Sequence, residues 1–197
     1  RNFQPDRCIS YINPRHIAPI LRLIAIGLRP IRVLDCFSVA TYPGYHFSIH
    51  GSCHPLTFIE PSFRCDYGFN IHTHGLTVIN YNCVILDTSP VNIGANAFIA
   101  PGVCLACAGH ALDPQQRAEG IGTSAPITLE ENVWIGANSV VCGGVTIGAG
   151  SVIGAGSVVT RDIPAGVVAV GNPCRVLRRL TEQDKRMMLE ALNREGE

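Results

Sequence analysis

The sequence has few charged residues, a balanced charge and no long uninterrupted apolar run. Charged residues make up 15% of its 197 residues and the formal net charge is zero, so we expect no nucleic-acid partner. The longest apolar run, Ile17 to Leu28, contains Pro19 and Arg22 and has about half of the roughly 20 residues that a membrane-spanning helix needs. Because no small-residue cleavage site follows a charged start, we expect no signal peptide and no membrane partner.

The cysteines do not form the pattern of a disulfide framework. There are nine, an odd number, and their spacing is irregular. Cys104 and Cys107 form a lone C-x-x-C pair, which is a weak signal for a metal or redox site without a second pair. The reducing cytoplasm fits this usage best, with most of these side chains acting as small buried apolar groups. This interpretation covers Cys83, Cys104, Cys142 and Cys174.

Many of the 20 glycines lie within a repeat of six positions, in which aliphatic residues recur. From Leu129 the sequence reads LEENVW, IGANSV, VCGGVT, IGAGSV, IGAGSV and VTRDIP, and each block opens with an aliphatic residue. The same phase occurs upstream from Ile93, in IGANAF, IAPGVC and LACAGH. A period of six fits neither an α-helix nor a simple hairpin, but it fits a short strand followed by a tight corner.

Three such sides, one hexad each, close a triangular coil. The aliphatic side chain points inwards, while Gly, Asn or Ala-Gly turns the chain where left-handed backbone angles are needed. Successive coils then stack as parallel strands about 4.8 Å apart. The repeat therefore predicts an all-β protein built as a parallel β-helix.

The repeat is irregular upstream and is interrupted once by a polar segment. Ile79, Ile85 and Val91 are six positions apart, but a two-residue slip then separates Val91 from Ile93. The segment from Ala111 to Pro126 breaks the pattern with Asp-Pro, paired glutamines and glycine. It predicts a loop that lies outside the prism.

The chain is predicted to have three parts: residues 1–58 without a clear pattern, a β-helix over 59–180, and a helix over 181–197. Thr181-Glu-Gln-Asp184 indicates a capping box that opens this last helix. Its apolar side would carry Met188, Leu189 and Leu192. The N-terminal segment, residues 1–58, leaves a choice between two alternatives. It lies outside the prism and is dispensable for folding, or Ile17 to Leu34 forms an apolar helix that caps the first coil.

From Pro61 to Leu180 the sequence resembles the maltose and galactoside O-acetyltransferases of the hexapeptide-repeat family. The resemblance rests on FRCDYGFNIH, GANAFIAPGV, the GHALDP segment and the stretch from PITLEENVWIG to GNPCRV. The repeat alone indicates only the fold, whereas GH before an Asp-Pro loop, NVWIG and GNPCR are more specific. The resemblance implies a left-handed prism, against the usual right-handed crossover preference. It also implies acetyl-CoA as co-substrate and a homotrimer with active sites between neighbouring prisms.

The resemblance further implies roles for residues at the reacting groups. His110 falls on the family's catalytic histidine, and an imidazole can take a proton from a hydroxyl near neutral pH. Asn80 matches an asparagine beside the acceptor hydroxyl and the reacting acetyl group. Asp66 matches an acceptor-contacting position. The galactoside enzymes have paired acids where this chain has Asp87 and Thr88, so Asp87 is predicted to bind the acceptor without its second acid.

For the donor, the resemblance implies a binding surface along the coils. Trp134 matches the residue that packs on the pantetheine arm of CoA. Positions with small side chains, along which the arm lies, are matched by Ala137, Ala155 and Thr160. Basic residues that meet the CoA phosphates are matched by Arg161, Arg175 and Arg178.

These observations predict an acetyl-CoA-dependent O-acetyltransferase that acts on a sugar or similar small hydroxyl acceptor by direct attack, without a metal. Alternatives are a xenobiotic or serine acetyltransferase of the same fold, a non-catalytic trimeric scaffold, and a zinc γ-carbonic anhydrase. The last needs three converging histidines, and beside the His72–His74 pair no second histidine closely follows His110. A scaffold has no use for the combination of His110, Asn80 and Trp134.

Overall fold

The computed structural model of the protein describes residues 51–60 and 62–185. Short strands dominate, as expected from a repeat in which only a few residues separate successive corners. In chain order the elements are β1 (Thr57–Ile59), β2 (Arg64–Cys65), β3 (Ile71–Thr73), β4 (Thr77–Ile79), β5 (Val84–Leu86), β6 (Val91–Ile93), β7 (Ala97–Ile99), β8 (Cys104–Ala106), β9 (Ala108–His110), α1 (Pro114–Ala118), β10 (Gly122–Ser124), β11 (Ile127–Leu129), β12 (Trp134–Ile135), β13 (Val140–Cys142), β14 (Thr146–Ile147), β15 (Val152–Ile153), β16 (Val158–Val159), β17 (Val167–Val170) and β18 (Arg175–Arg179).

The strands stack into three parallel sheets that form the sides of a prism. Sheet A contains β1, β4, β7, β12, β15 and β17 in parallel order, with β18 antiparallel at its end. Sheet B contains β2, β5, β8, β13 and β16, and sheet C contains β3, β6, β11 and β14. Each coil visits sheets A, B and C in turn. The left-handed parallel β-helix predicted from the sequence is confirmed.

The core is a set of aliphatic ladders inside the prism. Ile79, Ile99, Ile135 and Ile153 occupy neighbouring inward positions of sheet A, and each is 2% exposed or less. Stacking equivalent residues at every coil removes nearly all of their apolar surface from water, which is the main stabilising term of such a fold. The corners use asparagines with positive φ, among them Asn138 at 56°, a conformation that asparagine tolerates better than most residues.

The coils do not all have the same length. Trp134 lies opposite Val152, so a regular coil takes three hexads. In the first coils Thr57 lies opposite Thr77 and Arg64 lies opposite Val84, and these coils are therefore longer than three hexads by two residues. The two extra residues occur at the turn between sheets B and C, and the slip between Val91 and Ile93 is their trace in the sequence.

The predicted external loop is confirmed as a folded arm. This arm, residues 108–125, leaves the third coil between sheets B and C, and its strands β9 and β10 pair antiparallel. Helix α1 lies between them, and the Asp113 carboxylate caps it by accepting the backbone N–H of Gln116 at 2.9 Å. Because of the arm, the third coil is twice as long in sequence as a regular coil, as the pairing of Phe98 with Trp134 shows.

The two ends of the described ranges lie near two of the predicted boundaries. Strand β1 begins at Thr57, two residues before the predicted start of the β-helix. Residues 182–185 are helical, and the Asp184 carboxylate accepts the Thr181 backbone N–H at 2.7 Å, as in a capping box. The predicted apolar side of that helix and the alternatives for residues 1–50 lie outside the described residues. No helix in the described ranges is long and apolar enough to span a membrane.

The cysteine interpretation holds for only some of the thiols. Cys83 and Cys174 are buried, whereas Cys104 and Cys142 are half-buried and face outwards, because each lies next to an inward-facing residue of its strand. The cysteines of the described ranges are free thiols. Burial, with the nearby charges of Asp87 and Asp66, raises the pKa of Cys65 to about 11, so this thiol is protonated at neutral pH.

Candidate active site

The predicted site residues fall on two different edges of the prism. The A–B corner is the turn that follows each strand of sheet A, and the B–C corner is the turn that follows each strand of sheet B. Asn80 follows β4 and lies at the A–B corner. Asp66 follows β2, Asp87 follows β5, and the arm with His110 follows β8, so all three lie on successive coils of the B–C corner.

His110 is the last residue of β9, at the exposed end of that strand. It pairs with Gly122 of β10, and its side chain is exposed. A cleft of about 300 Å³ lies beneath the arm, lined by residues 106–109, 123–125 and 142–143. The antiparallel pair fixes the backbone that carries the imidazole, so the arm presents a proton acceptor away from the prism surface.

Hydroxyl groups attach the arm to the second coil. The Ser124 hydroxyl lies 2.7 Å from the Thr88 hydroxyl and 2.6 Å from the Ser89 hydroxyl. Because Ser124 pairs with Ala108 in the two-stranded ladder, this contact secures the base of the arm. Ser124 and Ser89 were not predicted from the sequence. The signal that could have found them is their place beside the two-residue slip and at the end of the loop.

Asp87 is fully buried, with 0% of its surface exposed. One carboxylate oxygen, Oδ1, accepts the backbone N–H groups of Asp66 at 3.1 Å and Tyr67 at 2.9 Å. The other, Oδ2, accepts those of Gly68 at 2.7 Å and Asn70 at 3.2 Å. An ionised carboxylate has about four lone-pair sites, and these four donors occupy them. Contact between this carboxylate and an acceptor, which the resemblance implies, therefore has no free oxygen site to use.

Asp66 is exposed beside this buried carboxylate. Partial desolvation, reinforced by the negative charge of Asp87, raises the pKa of the Asp66 carboxyl above its usual range. On the same turn the rings of Tyr67 and Phe69 pack with centroids 5.2 Å apart, and about half of each side chain is exposed. We define residues 66–70 as the acid loop, which presents one carboxylate and two aromatic rings to solvent.

The A–B corner carries the residues predicted to meet the donor. Asn80, Ala137 and Ala155 lie along it, and the N–H of Gly156 donates to the Ala137 carbonyl at 2.8 Å. The Asn80 side-chain oxygen accepts the Tyr81 backbone N–H at 2.9 Å, which fixes the orientation of its amide. Trp134 lies just before this corner on the outer face of sheet A and is 53% exposed. The small side chains leave a clear surface beside the indole ring.

The other residues predicted to meet the donor, Thr160 and the three arginines, lie in two groups. Thr160 and Arg161 follow β16, at the B–C corner, and both are exposed. Arg175 and Arg178 lie on β18, at the end of sheet A. Arg178 donates to both carboxylate oxygens of Asp184 at 2.8 and 2.7 Å, which lowers the pKa of that carboxyl well below its usual range.

One chain therefore does not bring all the predicted residues together. Asn80, Trp134, Ala137 and Ala155 share one corner, and the acid loop and the His110 arm share another. One side of the prism, sheet B, separates the two corners.

Within the ranges that the structure describes, no group of three His, Cys, Asp or Glu side chains could hold a metal ion. The Nδ1 atom of His72 lies 3.0 Å from the Ser52 hydroxyl.

The chain matches known proteins by its repeat and over most of the described coils. The model of the bacterial transferase hexapeptide family (six repeats) matches residues 126–161. A Saccharomyces cerevisiae protein named as an acetyltransferase is 52% identical over 134 residues, which are 68% of this chain and 68% of that protein. The galactoside O-acetyltransferase of Escherichia coli is 48% identical over 128 residues, 65% of this chain and 63% of that enzyme. The chain thus spans about two thirds of the length of these relatives.

Solved structures give the same result. A maltose O-acetyltransferase from Clostridium difficile has a TM-score of 0.68 at 40% identity, over 76% of this chain and 83% of that chain. A hexapeptide-repeat acetyltransferase from Vibrio cholerae, solved with acetyl-CoA, has a TM-score of 0.62 at 41% identity, over 64% of this chain and 68% of that chain. Acetyl-CoA as the predicted co-substrate agrees with that complex. The coils, the arm and these similarities together show that the chain belongs to the hexapeptide-repeat acetyltransferases.

Proposed function

We propose that the protein transfers the acetyl group of acetyl-CoA to a hydroxyl of a sugar or similar small acceptor, with His110 as the general base. The observation that carries the proposal is the position of His110 at the end of a rigid strand pair that shares the B–C corner with Asp66. A base and an acid that can hold sugar hydroxyls lie on the same edge of the prism. Relatives named as galactoside and maltose O-acetyltransferases support a sugar as the acceptor class.

The reaction is a direct attack by the acceptor oxygen on the thioester carbonyl. A ring nitrogen of His110 takes the hydroxyl proton as the C–O bond forms, so no free alkoxide is needed. The tetrahedral intermediate then collapses with cleavage of the C–S bond. The proton held by His110 returns to the leaving sulfur, which restores the neutral imidazole. Asn80, whose side-chain oxygen is already bonded to Tyr81, directs its amide N–H₂ towards the acetyl oxygen or the acceptor.

The donor lies along the A–B corner. Trp134 packs on the pantetheine arm, because an exposed indole beside small residues offers apolar area to an extended chain. Ala137 and Ala155 allow the arm to approach the backbone. Arginine guanidinium groups suit phosphate oxygens, and the residues proposed to meet the phosphates or the end of the arm are Thr160, Arg161, Arg175 and Arg178.

The protein acts as a homotrimer in this proposal, because two corners of one prism meet only when a second copy is present. The outer faces of the sheets support such an assembly. The outward column of sheet A is apolar and comprises Phe58, Val78, Phe98, Trp134, Val152 and Val168. Sheet B also presents mainly apolar residues: Val84, Leu86, Cys104, Ala106, Val140, Cys142 and Val158.

Sheet C differs from the other two sides. Its outward column is polar, with His72, Asn92, Thr128 and Thr146. A triangular prism in a three-fold assembly turns two unlike sides towards its neighbours and one towards solvent. Two apolar sides and one polar side fit that arrangement.

The free cysteines of the described ranges also support the cytoplasmic location expected from the sequence.

The test is an assay of CoA release with purified full-length protein and a panel of acceptors. The panel contains maltose, a thiogalactoside, serine and chloramphenicol, and solution mass is measured in parallel. We expect acetylation of at least one sugar by a trimer. Acetylation of serine or chloramphenicol alone would replace the acceptor class, and a trimer that binds acetyl-CoA but acetylates nothing would make the protein a scaffold.

A further inference from the structure

The second coil contains a buried carboxylate, Asp87, whose burial does not fit the acceptor contact that the family resemblance implies. Asp87 follows the inward-facing Ile85 by two positions and itself points into the prism. Its charge raises the pKa of the Cys65 thiol on the first coil and of the Cys107 thiol on the third, although burial is the larger cause for both. The carboxylate therefore sits between two protonated thiols in the core.

A buried negative charge is costly unless it is fully hydrogen-bonded. Asp87 meets that condition with main-chain groups alone, since the N–H groups of residues 66, 67, 68 and 70 all point at it. The bonding is also reciprocal, because the Asn70 side-chain N–H₂ donates to the Asp87 carbonyl at 2.8 Å. Five hydrogen bonds thus connect one residue of the second coil to one turn of the first.

These bonds determine the conformation of the acid loop, residues 66–70. Gly68 has a φ of 79°, which lets consecutive N–H groups of the turn converge on a single carboxylate. The loop has no regular strand or helix pairing of its own. Without the carboxylate, four buried or half-buried donors would lose their acceptor at once, and the loop would have to rearrange.

We propose that Asp87 is a positioning residue, which sets the place of Asp66 in the acceptor site and does not itself touch the acceptor. The proposal rests on the proposed function, because Asp66 is the group assigned to the acceptor. Asp87 acts from the core, where no acceptor can reach it, and it acts through main-chain N–H groups, so its effect falls on the acceptor side of the reaction. The donor side, at the A–B corner, does not depend on it.

The principal test is the isosteric variant Asp87→Asn, with a thiogalactoside or maltose as acceptor. Its amide keeps one acceptor oxygen but turns an N–H₂ group towards two N–H donors, which repel it. We expect the acceptor KM to rise about 10- to 100-fold, as for a misplaced binding group, with the KM for acetyl-CoA changed less than about twofold. An equal rise in both KM values, or no rise in either, would overturn the proposal.

A double-variant cycle separates positioning from contact. If Asp87 acts through Asp66, then Asp66→Asn and Asp87→Asn should each raise the acceptor KM, and the double variant should be little worse than Asp66→Asn alone. Independent, multiplying effects would mean that Asp87 meets the acceptor directly. Glu130→Gln is the matched control, because the exposed Glu130 carboxylate also accepts a backbone N–H from the next coil, that of Ala149 at 2.7 Å.

Hydrogen exchange gives a readout that does not need activity. The amides of residues 66, 67, 68 and 70 should exchange much faster in Asp87→Asn than in the unchanged protein, while those of β12 and β15 keep their protection. If Asp87→Asn does not fold, Asn70→Ala serves as the second variant, because it removes only the side-chain bond to the Asp87 carbonyl. It should show the same faster exchange to a smaller extent. Unchanged exchange in the acid loop would overturn the proposal, whereas faster exchange in a protein that acetylates none of the acceptors would count against the proposed function alone.

Discussion

The first three coils and the later coils stack in the same three sheets but have different corners. In the later coils the turn between sheets B and C is short, as at Gly143 and Gly144, and each coil takes three hexads. In the first two coils the same turn has two more residues, and in the third it extends into the arm. The extra residues form the acid loop, the Asp87 turn and the arm with His110. The regular coils thus supply the frame, and the proposed base His110 and the proposed acceptor-binding Asp66 lie where the repeat is lengthened.

Removing the proposed base from the arm is expected to have the largest effect on activity. His110→Ala should lower kcat about 10²- to 10⁴-fold, the usual loss for one general base, while acetyl-CoA still binds. Steady-state kinetics and calorimetric titration measure the two quantities. Leu112→Ala is the control, since Leu112 is 95% exposed on the same arm. If the His110 variant retains more than about half of the activity, His110 is not the base.

A core truncation in each region tests whether the frame and the site are separable. Ile85→Ala and Ile153→Ala should each lower the free energy of unfolding by about 2–5 kcal/mol, because both side chains are fully buried in the ladders. Only Ile85→Ala, two residues before Asp87, should also raise the acceptor KM. Urea unfolding at one fixed protein concentration, together with kinetics below the transition, gives both values. A raised acceptor KM in Ile153→Ala would contradict the separation.

The proposed donor surface around Trp134 belongs to the regular region and should respond differently from the acid loop. Trp134→Ala removes the exposed indole and should raise the KM for acetyl-CoA about tenfold, with a smaller change in the acceptor KM. Replacing Arg175 and Arg178 together by alanine should act in the same direction. Equal damage to both substrates would instead point to lost assembly, which a measurement of solution mass would detect.

The smallest effect is expected at the ion pair between Arg178 on β18 and Asp184 on the last helix. Asp184 has a lowered pKa in the folded state, so its pairing stabilises the protein above the usual titration range of aspartate and is lost as pH falls from that range to the lowered pKa. Because the pair with Arg178 is exposed, Asp184→Asn should lower the Tm at pH 7 by at most about 3 °C, and less at high salt. A larger shift in calorimetry would mean that the last helix depends on this pair.

The sequence allowed the regular coils to be predicted almost completely and the first coils only incompletely. The hexads from Leu129 give the inward ladder directly, because Leu, Ile and Val occupy it. In the first coil Thr57 and Cys65 take inward positions, so the aliphatic signal that defines the period is absent there. The β-helix begins at Thr57, whereas the six-residue period can be read in the sequence only from Ile79.

The arrangement of the candidate site could not be predicted from the sequence. The family resemblance implies roles for His110, Asn80 and Asp66 but does not say how these residues are arranged. The burial of Asp87 was not visible, because it depends on the register that the two-residue slip creates. The sequence also does not show that the predicted residues lie at two different corners. The repeat alone does not say which turns stack on each other, and therefore not where Asn80 lies relative to the arm.

Because stacked strands have a constant spacing, the number of coils sets the distance between groups at the two ends of the prism. Along sheet A, five strand steps separate β4, which precedes Asn80, from β18, which carries Arg175. At about 4.8 Å a step, these positions lie roughly 24 Å apart along the prism axis. Deleting one regular coil would keep every inward side chain in register and shorten this distance by one step. Such a protein should fold, yet a donor held by its phosphates would no longer bring its thioester to Asn80. If the donor lies as proposed, the number of coils sets the length of donor that the protein can use.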